Sequence, residues 1–363
     1  MGRIRRMFAG GNSSQGFYSF YHEIISGEAR RLYILKGGPG TGKSTLMKSV
    51  AAQLQEKGFD LEVFHCSSDV DSLDAIAVPS LKVAIVDGTA PHVIEPKFPG
   101  SIDQVINLSD YLASDLISAD LKQIKQLTAA KANAYPRVYR LLKAAKLVYE
   151  DIQVINQSFM NFGKVNQLVN NLLYEIFRDL PVSSQLGKAR HLFATAITPQ
   201  GPVNELPSIT SGYQRKIILK GEPGTGKSTM VERVARHAIE RGLNVDVFHC
   251  PLDPTRLEHL VIDSLGVAII TSQAPHIYEA EGALIINLDD YLDHQQRQSS
   301  EEMLQKSTAL FEGMLDQVFV QLRLAKAIHE ELESYYAPAM DFAKLELKQA
   351  EIIQEILALA ART

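Results

Sequence analysis

Two stretches of the chain carry the residue types that grip phosphate: Gly37-Gly38-Pro39-Gly40-Thr41-Gly42-Lys43-Ser44-Thr45 and Gly221-Glu222-Pro223-Gly224-Thr225-Gly226-Lys227-Ser228-Thr229. Both fit the pattern G-x-x-x-x-G-K-[ST]. Glycines let the backbone take positive φ and bring its N–H groups close to phosphate oxygens. A helix N-terminus behind the loop adds a favourable dipole. Lys43 and Lys227 are expected to reach the β- and γ-phosphates, and Ser44 and Ser228 to ligate Mg²⁺. Pro39 and Pro223 stiffen a loop that has to be preformed. The competing reading is a chance glycine-rich turn. Against it stand the apolar runs before each loop, Leu32–Leu35 and Ile217–Lys220, and the helix-like run Leu46–Ala52 after the first.

Further groups fall near the ends of apolar runs. Asp87 ends Lys82-Val83-Ala84-Ile85-Val86-Asp87, where a carboxylate is expected to hold Mg²⁺ through its water shell; the plain alternative is a turn aspartate. The catalytic set read here is Lys43, Asp87 and Lys227. Thr271 stands at the second position matching Asp87. A hydroxyl cannot offset the cation's charge, so the second site is expected to bind or turn over nucleotide differently, with Asp253 as a compensating group. Asp69 and Asp253 can ligate Mg²⁺, position water or contact substrate; alternatively Asp69 caps a short helix over 70–77. His92 and His276 can sense the γ-phosphate or move a proton, or simply hydrogen-bond their loop. His65, Cys66 and His92 match no standard zinc spacing, and Cys66 reads as a small apolar residue. Gly88, rather than Glu, follows Asp87. That predicts slow hydrolysis, a base supplied from elsewhere, or transfer to a substrate. Arg30 and Arg31, matched by Arg215 and Lys216, either carry charge across an interface or are solvated.

The positioning elements occur twice. Positions 33–45 and 217–229 are identical at eleven of thirteen places, 184 residues apart. Phe64-His65-Cys66 recurs as Phe248-His249-Cys250, Asp69 as Asp253, and Ala90-Pro91-His92 as Ala274-Pro275-His276. From Asn107 and Asn287 onward the offset is 180. At the front, Phe8, Gln15 and Gly16 match Phe193, Gln200 and Gly201. A whole domain is duplicated, giving units 1–185 and 186–363. Strands are expected at 33–36, 61–65, 82–86 and 104–108, helices at 46–57 and near 73–77, with Gly58 as a stop. Alternation of strands and helices predicts α/β architecture, a parallel sheet with helices on both faces and ligands at the strands' carboxyl ends. Residues 8–9 and 191–195 are candidate extra strands, either in their own sheet or exchanged. A long helical tail follows each core. Val148, Ile152, Ile155, Phe159 and Phe162, matched by Ile328, Leu332, Tyr335, Ala339 and Phe342, make one apolar stripe. The stripe packs within its own unit, clamps the two tails together, or binds a partner. Pro136 and Pro338 are expected to break or kink the tails.

Composition narrows the classes. The 363 residues carry 37 basic and 42 acidic side chains, a net charge of −5, which gives no case for a nucleic-acid binder driven by overall charge and leaves only a local basic patch as an alternative. Two cysteines at equivalent places argue against a disulfide framework and fit a reducing cytoplasm. No apolar run approaches a membrane span.

At these loops the chain resembles the P-loop NTPase superfamily. Gly37–Thr45 and Asp87-Gly88 resemble adenylate-kinase-type nucleotide kinases, without their arginine-rich lid. The tandem layout and Asp87-Gly88-Thr89-Ala90-Pro91-His92 resemble ArsA-type ATPases, which pair two nucleotide sites; Lys36 lies two residues further out than their early lysine. Over both repeats, but not over the helical tails, the chain is most similar to an uncharacterised bacterial group of duplicated P-loop ATPases. The resemblance implies two tandem nucleotide-binding domains using ATP and Mg²⁺. The leading expectation is an ATPase whose first site is the more hydrolytic. The alternatives are a small-molecule or nucleotide kinase, and a nucleotide-gated scaffold that binds a partner through its tails.

Overall fold

Successive side chains along a strand point to opposite faces, which divides the buried ones between two cores. In β4 (Arg31–Lys36), Tyr33 and Leu35 enter one core and Ile34 the other. The computed structural model describes residues 1–25, 29–91 and 93–362. In the first repeat, β1 (Ile4–Met7) precedes the hairpin of β2 (Gly10–Ser13) and β3 (Gly16–Ser19). After β4 come α1 (Lys43–Glu56), β5 (Leu61–Cys66), β6 (Asp69–Val78), β7 (Val83–Asp87) and β8 (Asp103–Asn107). The tail consists of α2 (Ser114–Ala119), α3 (Leu121–Gln157) and α4 (Phe162–Phe177).

The second repeat begins with β9 (Ala189–Leu192), the hairpin of β10 (Thr195–Thr198) and β11 (Gly201–Asn204), and α5 (Leu206–Thr210). Its core is β12 (Arg215–Lys220), α6 (Lys227–Glu240), β13 (Val245–His249), β14 (Leu257–Ile262), β15 (Val267–Thr271) and β16 (Leu284–Asn287). Its tail is α7 (His294–Arg297), α8 (Glu301–Tyr336) and α9 (Phe342–Ala360).

Each repeat forms a six-stranded mixed sheet, β1-β5-β6-β7-β4-β8 and β9-β13-β14-β15-β12-β16. β6 and β14 run antiparallel to both neighbours; the other pairings are parallel. This corrects the expected wholly parallel sheet and the expected helix near 73–77. Residues 73–78 are all buried, and a run apolar on both faces has no period to separate strand from helix. Asp69 therefore starts a strand and caps no helix. β1 and β9 each stay in their own sheet, and the repeats touch at an antiparallel bridge between Phe8 and Phe193.

The layers also differ from the expectation of helices on both sheet faces. One face of each sheet is covered by helices, and the other packs against the opposite sheet. Ile34, Phe64, Ala75 and Val86 meet Ile218, Phe248, Val261 and Ile270 in that central layer. Arg5 and Arg190 bind Glu62, and Arg5 also binds Asp246, in a buried four-charge cluster spanning the repeats.

The tails cross over. α3 and α8 pack together, with Val138 and Leu142 against Val318 and Leu322. Beyond this pair, α4 covers the second repeat's sheet, and α9 covers the first repeat's. Leu345, Ile352, Ile353 and Ile356 thus complete the core around Met47 and Leu54, about 300 residues earlier in the chain. The apolar stripe read from sequence is interrupted. Asn161 and Asp341 accept backbone hydrogen bonds from Lys164 and Lys344 and start α4 and α9 afresh. Pro136 lies inside a continuous α3, where packing against α8 compensates one missing backbone bond; Pro338 sits at the break between α8 and α9.

Candidate functional site

Both glycine-rich loops follow the carboxyl end of a central strand, β4 or β12, and open directly into a helix, α1 or α6. Gly42 and Gly226 precede these helices at φ of 84° and 103°, and neither helix has a side-chain cap. In the first loop, Lys43 Nζ donates to the carbonyls of Gly37 and Gly38, both at 2.8 Å. It also lies 3.8 Å from Asp87 Oδ2, with both side chains mostly buried. Asp87 Oδ1 accepts from the Thr89 backbone N–H at 2.9 Å. One carboxylate oxygen thus holds the turn while the other faces the lysine. Ser44 Oγ accepts from the Leu73 N–H at 3.0 Å. A hydroxyl such as that of Ser44 and a carboxylate such as that of Asp87 are oxygen donors of the kind a hard divalent cation takes.

The second loop repeats the lysine geometry. Lys227 Nζ donates to Gly221 O at 2.6 Å and Glu222 O at 2.8 Å. Burial pushes its pKa down to about 8, against the pull of Asp289 and Glu222. Ser228 donates to Leu257 O at 2.8 Å. Thr271 ends the adjacent strand in place of an acid, and its buried hydroxyl has no hydrogen-bond partner among the described residues. Two acids missed in the sequence stand nearby. Asp289 accepts from the Glu222 N–H at 2.8 Å. Glu258 lines a cavity of about 40 Å³ together with Lys227, Ser228, Asp253 and Thr271. Burial raises the Glu258 pKa. Its counterpart is the buried Asp74, and the shared 184 offset was the signal that could have found the pair.

Each loop is closed by a helix of the other repeat. A side-chain carbon on Gly40 would lie 2.9 Å from Glu333 O in α8, and one on Gly224 would lie 2.3 Å from Gln153 O in α3. These glycines make room for a helix as well as for any ligand. Lys326 of α8 binds Asp69 at 2.7 Å, and Lys146 of α3 approaches Asp253 to 3.5 Å. Burial opposes the Asp69 charge, but the bonds from Lys326 and Ser72 outweigh it and lower the pKa. Asp69 and Asp253 are therefore anchored to the crossing arms.

The remaining candidates separate. His276 has a buried ring whose Nδ1 lacks a partner among the described residues, and burial lowers its pKa to about 4. Its loop is closed by backbone bonds with Gln273. His92 lies outside the described residues. His65 Nδ1 bonds Val70 O at 2.7 Å, Cys66 and Cys250 are unpaired thiols, and the described residues contain no His, Cys, Asp and Glu group able to hold a metal ion. Arg31 and Arg215 sit at the amino ends of their strands, away from the loops.

Residues 19–79, which include the first loop and β6, are similar to the family model described as Nephrocystin 3, N-terminal. No curated protein and no solved structure matches the chain. No helix among the described residues is long and apolar enough to cross a membrane.

Proposed function

We propose that this chain is a cytoplasmic P-loop ATPase with two pseudo-symmetric nucleotide sites, of which the first turns ATP over faster. One observation carries the reading. A lysine that opens a helix behind a glycine-rich loop lies 3.8 Å from a carboxylate ending the neighbouring strand. The loop amides and Lys43 would bind the β- and γ-phosphates and stabilise charge on the transferring phosphoryl group. Ser44 and Asp87 would hold Mg²⁺, which when bound offsets phosphate charge. Lys227 and Ser228 would do the same at the second loop, with Thr271 supplying no charge. That difference makes the second site slower or regulatory.

The test is calorimetry with ATP, with and without Mg²⁺, alongside release of labelled γ-phosphate. Two Mg²⁺-dependent binding events are expected. Lys43→Ala should cut turnover more than Lys227→Ala. Equal losses would remove the asymmetry, and no binding by well-folded protein would remove the whole reading.

A second reading, a nucleotide-gated scaffold, is favoured by the contact of each loop with a crossing helix at Gly40 or Gly224. Tight binding without turnover, accompanied by movement of α3 and α8, would select it. A kinase would instead pass the label to an added acceptor.

A further inference from the structure

The two ends of the α3–α8 pair carry different chemistry at equivalent positions. Near the first loop, Lys131 of α3 faces His329 of α8, with Nζ 2.7 Å from Nδ1. The matching residues near the second loop are Phe311 and Tyr149, whose rings pack at 5.1 Å between centroids. Burial lowers the His329 pKa to about 4, so its ring is neutral. Its Nδ1 then accepts from the Lys131 ammonium, and its Nε2–H faces Glu333 Oε1 at 3.5 Å. Glu333 is the residue whose backbone abuts Gly40.

Lys131 differs from the other arm lysines at the two sites. Lys146 and Lys326 are paired with Asp253 and Asp69. Among the described residues, no carboxylate lies within ion-pair distance of Lys131. A largely buried ammonium bonded to a neutral ring is poorly compensated, and an anion brought into the site would relieve it. Burial lowers its pKa; Lys43 lowers it further, while Glu333 and Asp87 oppose the fall. Through His329 and Glu333 the amine is tied to the stretch of α8 that abuts the first loop at Gly40. At the second loop, the added cation is Arg256, which lines the cavity from its own repeat where the first has Ser72.

We propose that Lys131 contacts the terminal phosphate of a nucleoside triphosphate at the first loop and stabilises its charge during hydrolysis, delivered by the helical arm rather than by the loop's own sheet. This rests on the ATPase reading above. In the step, a water oxygen bonds to the γ-phosphorus. The bond from that phosphorus to the bridging oxygen breaks and leaves its electron pair on the diphosphate. The water's proton departs with inorganic phosphate. Lys131 exchanges no proton and opposes the charge spread over the equatorial oxygens.

The test is Lys131→Met in the full chain, in a Lys227→Ala background so that the first loop alone is read. Phe311 shows that the arm accepts an apolar side chain at the equivalent place; Lys131→Gln serves if the methionine variant misfolds. Turnover is expected to fall by about 10²–10³-fold while ADP affinity is retained. Tighter binding of ADP with aluminium fluoride than of ADP alone should also be lost, and Lys131→Arg should restore part of both. Unchanged turnover and analogue binding in Lys131→Met would overturn the proposal, as would a parent that binds ATP without hydrolysing it. A parent that binds no ADP at all defeats the ATPase reading itself, and this outcome is distinct from the other two.

Discussion

At His259, burial fixes a protonation state. The ring is fully buried, its Nδ1 accepts from the Thr271 N–H at 3.1 Å, and burial, helped by His276, lowers its pKa to about 3. Unfolded, the same ring titrates near 6.5. Between these values the unfolded chain binds the extra proton, so stability falls as pH is lowered from 6.5 toward 3. The buried carboxyls Asp246 and Glu258, raised by burial, pull the other way, so the contrast is between two proteins. A His259→Gln variant should lose less stability than the parent between pH 6.5 and 4, by about 1.4 kcal/mol per pH unit. Urea melts at each pH read this, and identical slopes would place His259 among groups that titrate normally. At this scale the place of the loop lysines and Asp87 at the carboxyl ends of neighbouring strands was legible, because the motif's spacing follows the strand and helix around it. Lys131, Lys146 and Lys326 were not, because they reach the loops from helices that sequence alone could not orient.

Among the elements, periodicity found part of a buried helix face, with Ile152 and Leu332 inside but Phe162 and Phe342 exposed, and did not say what buries it. The stripe read over 328–342 ends where α9 begins, and the face of α9 formed by Leu345, Ile352, Ile353 and Ile356 packs on the other repeat's core. β6 was misread because both its faces are covered, one by helices and one by the second sheet. Ile356 tests the crossing directly. It is 1% exposed and packs in the first repeat's core. Ile356→Ala should destabilise by about 2–5 kcal/mol. Hydrogen exchange should quicken first in α1, the helix that α9 packs on, with α6 little changed. Faster exchange confined to α6 would contradict the crossing.

For the whole molecule, the repeats share a central apolar layer, a four-charge cluster and both crossing arms. Chains comprising residues 1–185 and 186–363 should each lack a cooperative thermal transition alone and regain one when co-expressed, as followed by circular dichroism. A sharp melt of the first fragment alone would show that α9 is dispensable. The crossing also imposes an order on synthesis. A ribosome finishes α1 and its sheet early, yet the helix that roofs them emerges about 300 residues later. Until then the nascent amino-terminal half carries an open apolar face, and a chaperone arriving during translation would find it waiting there.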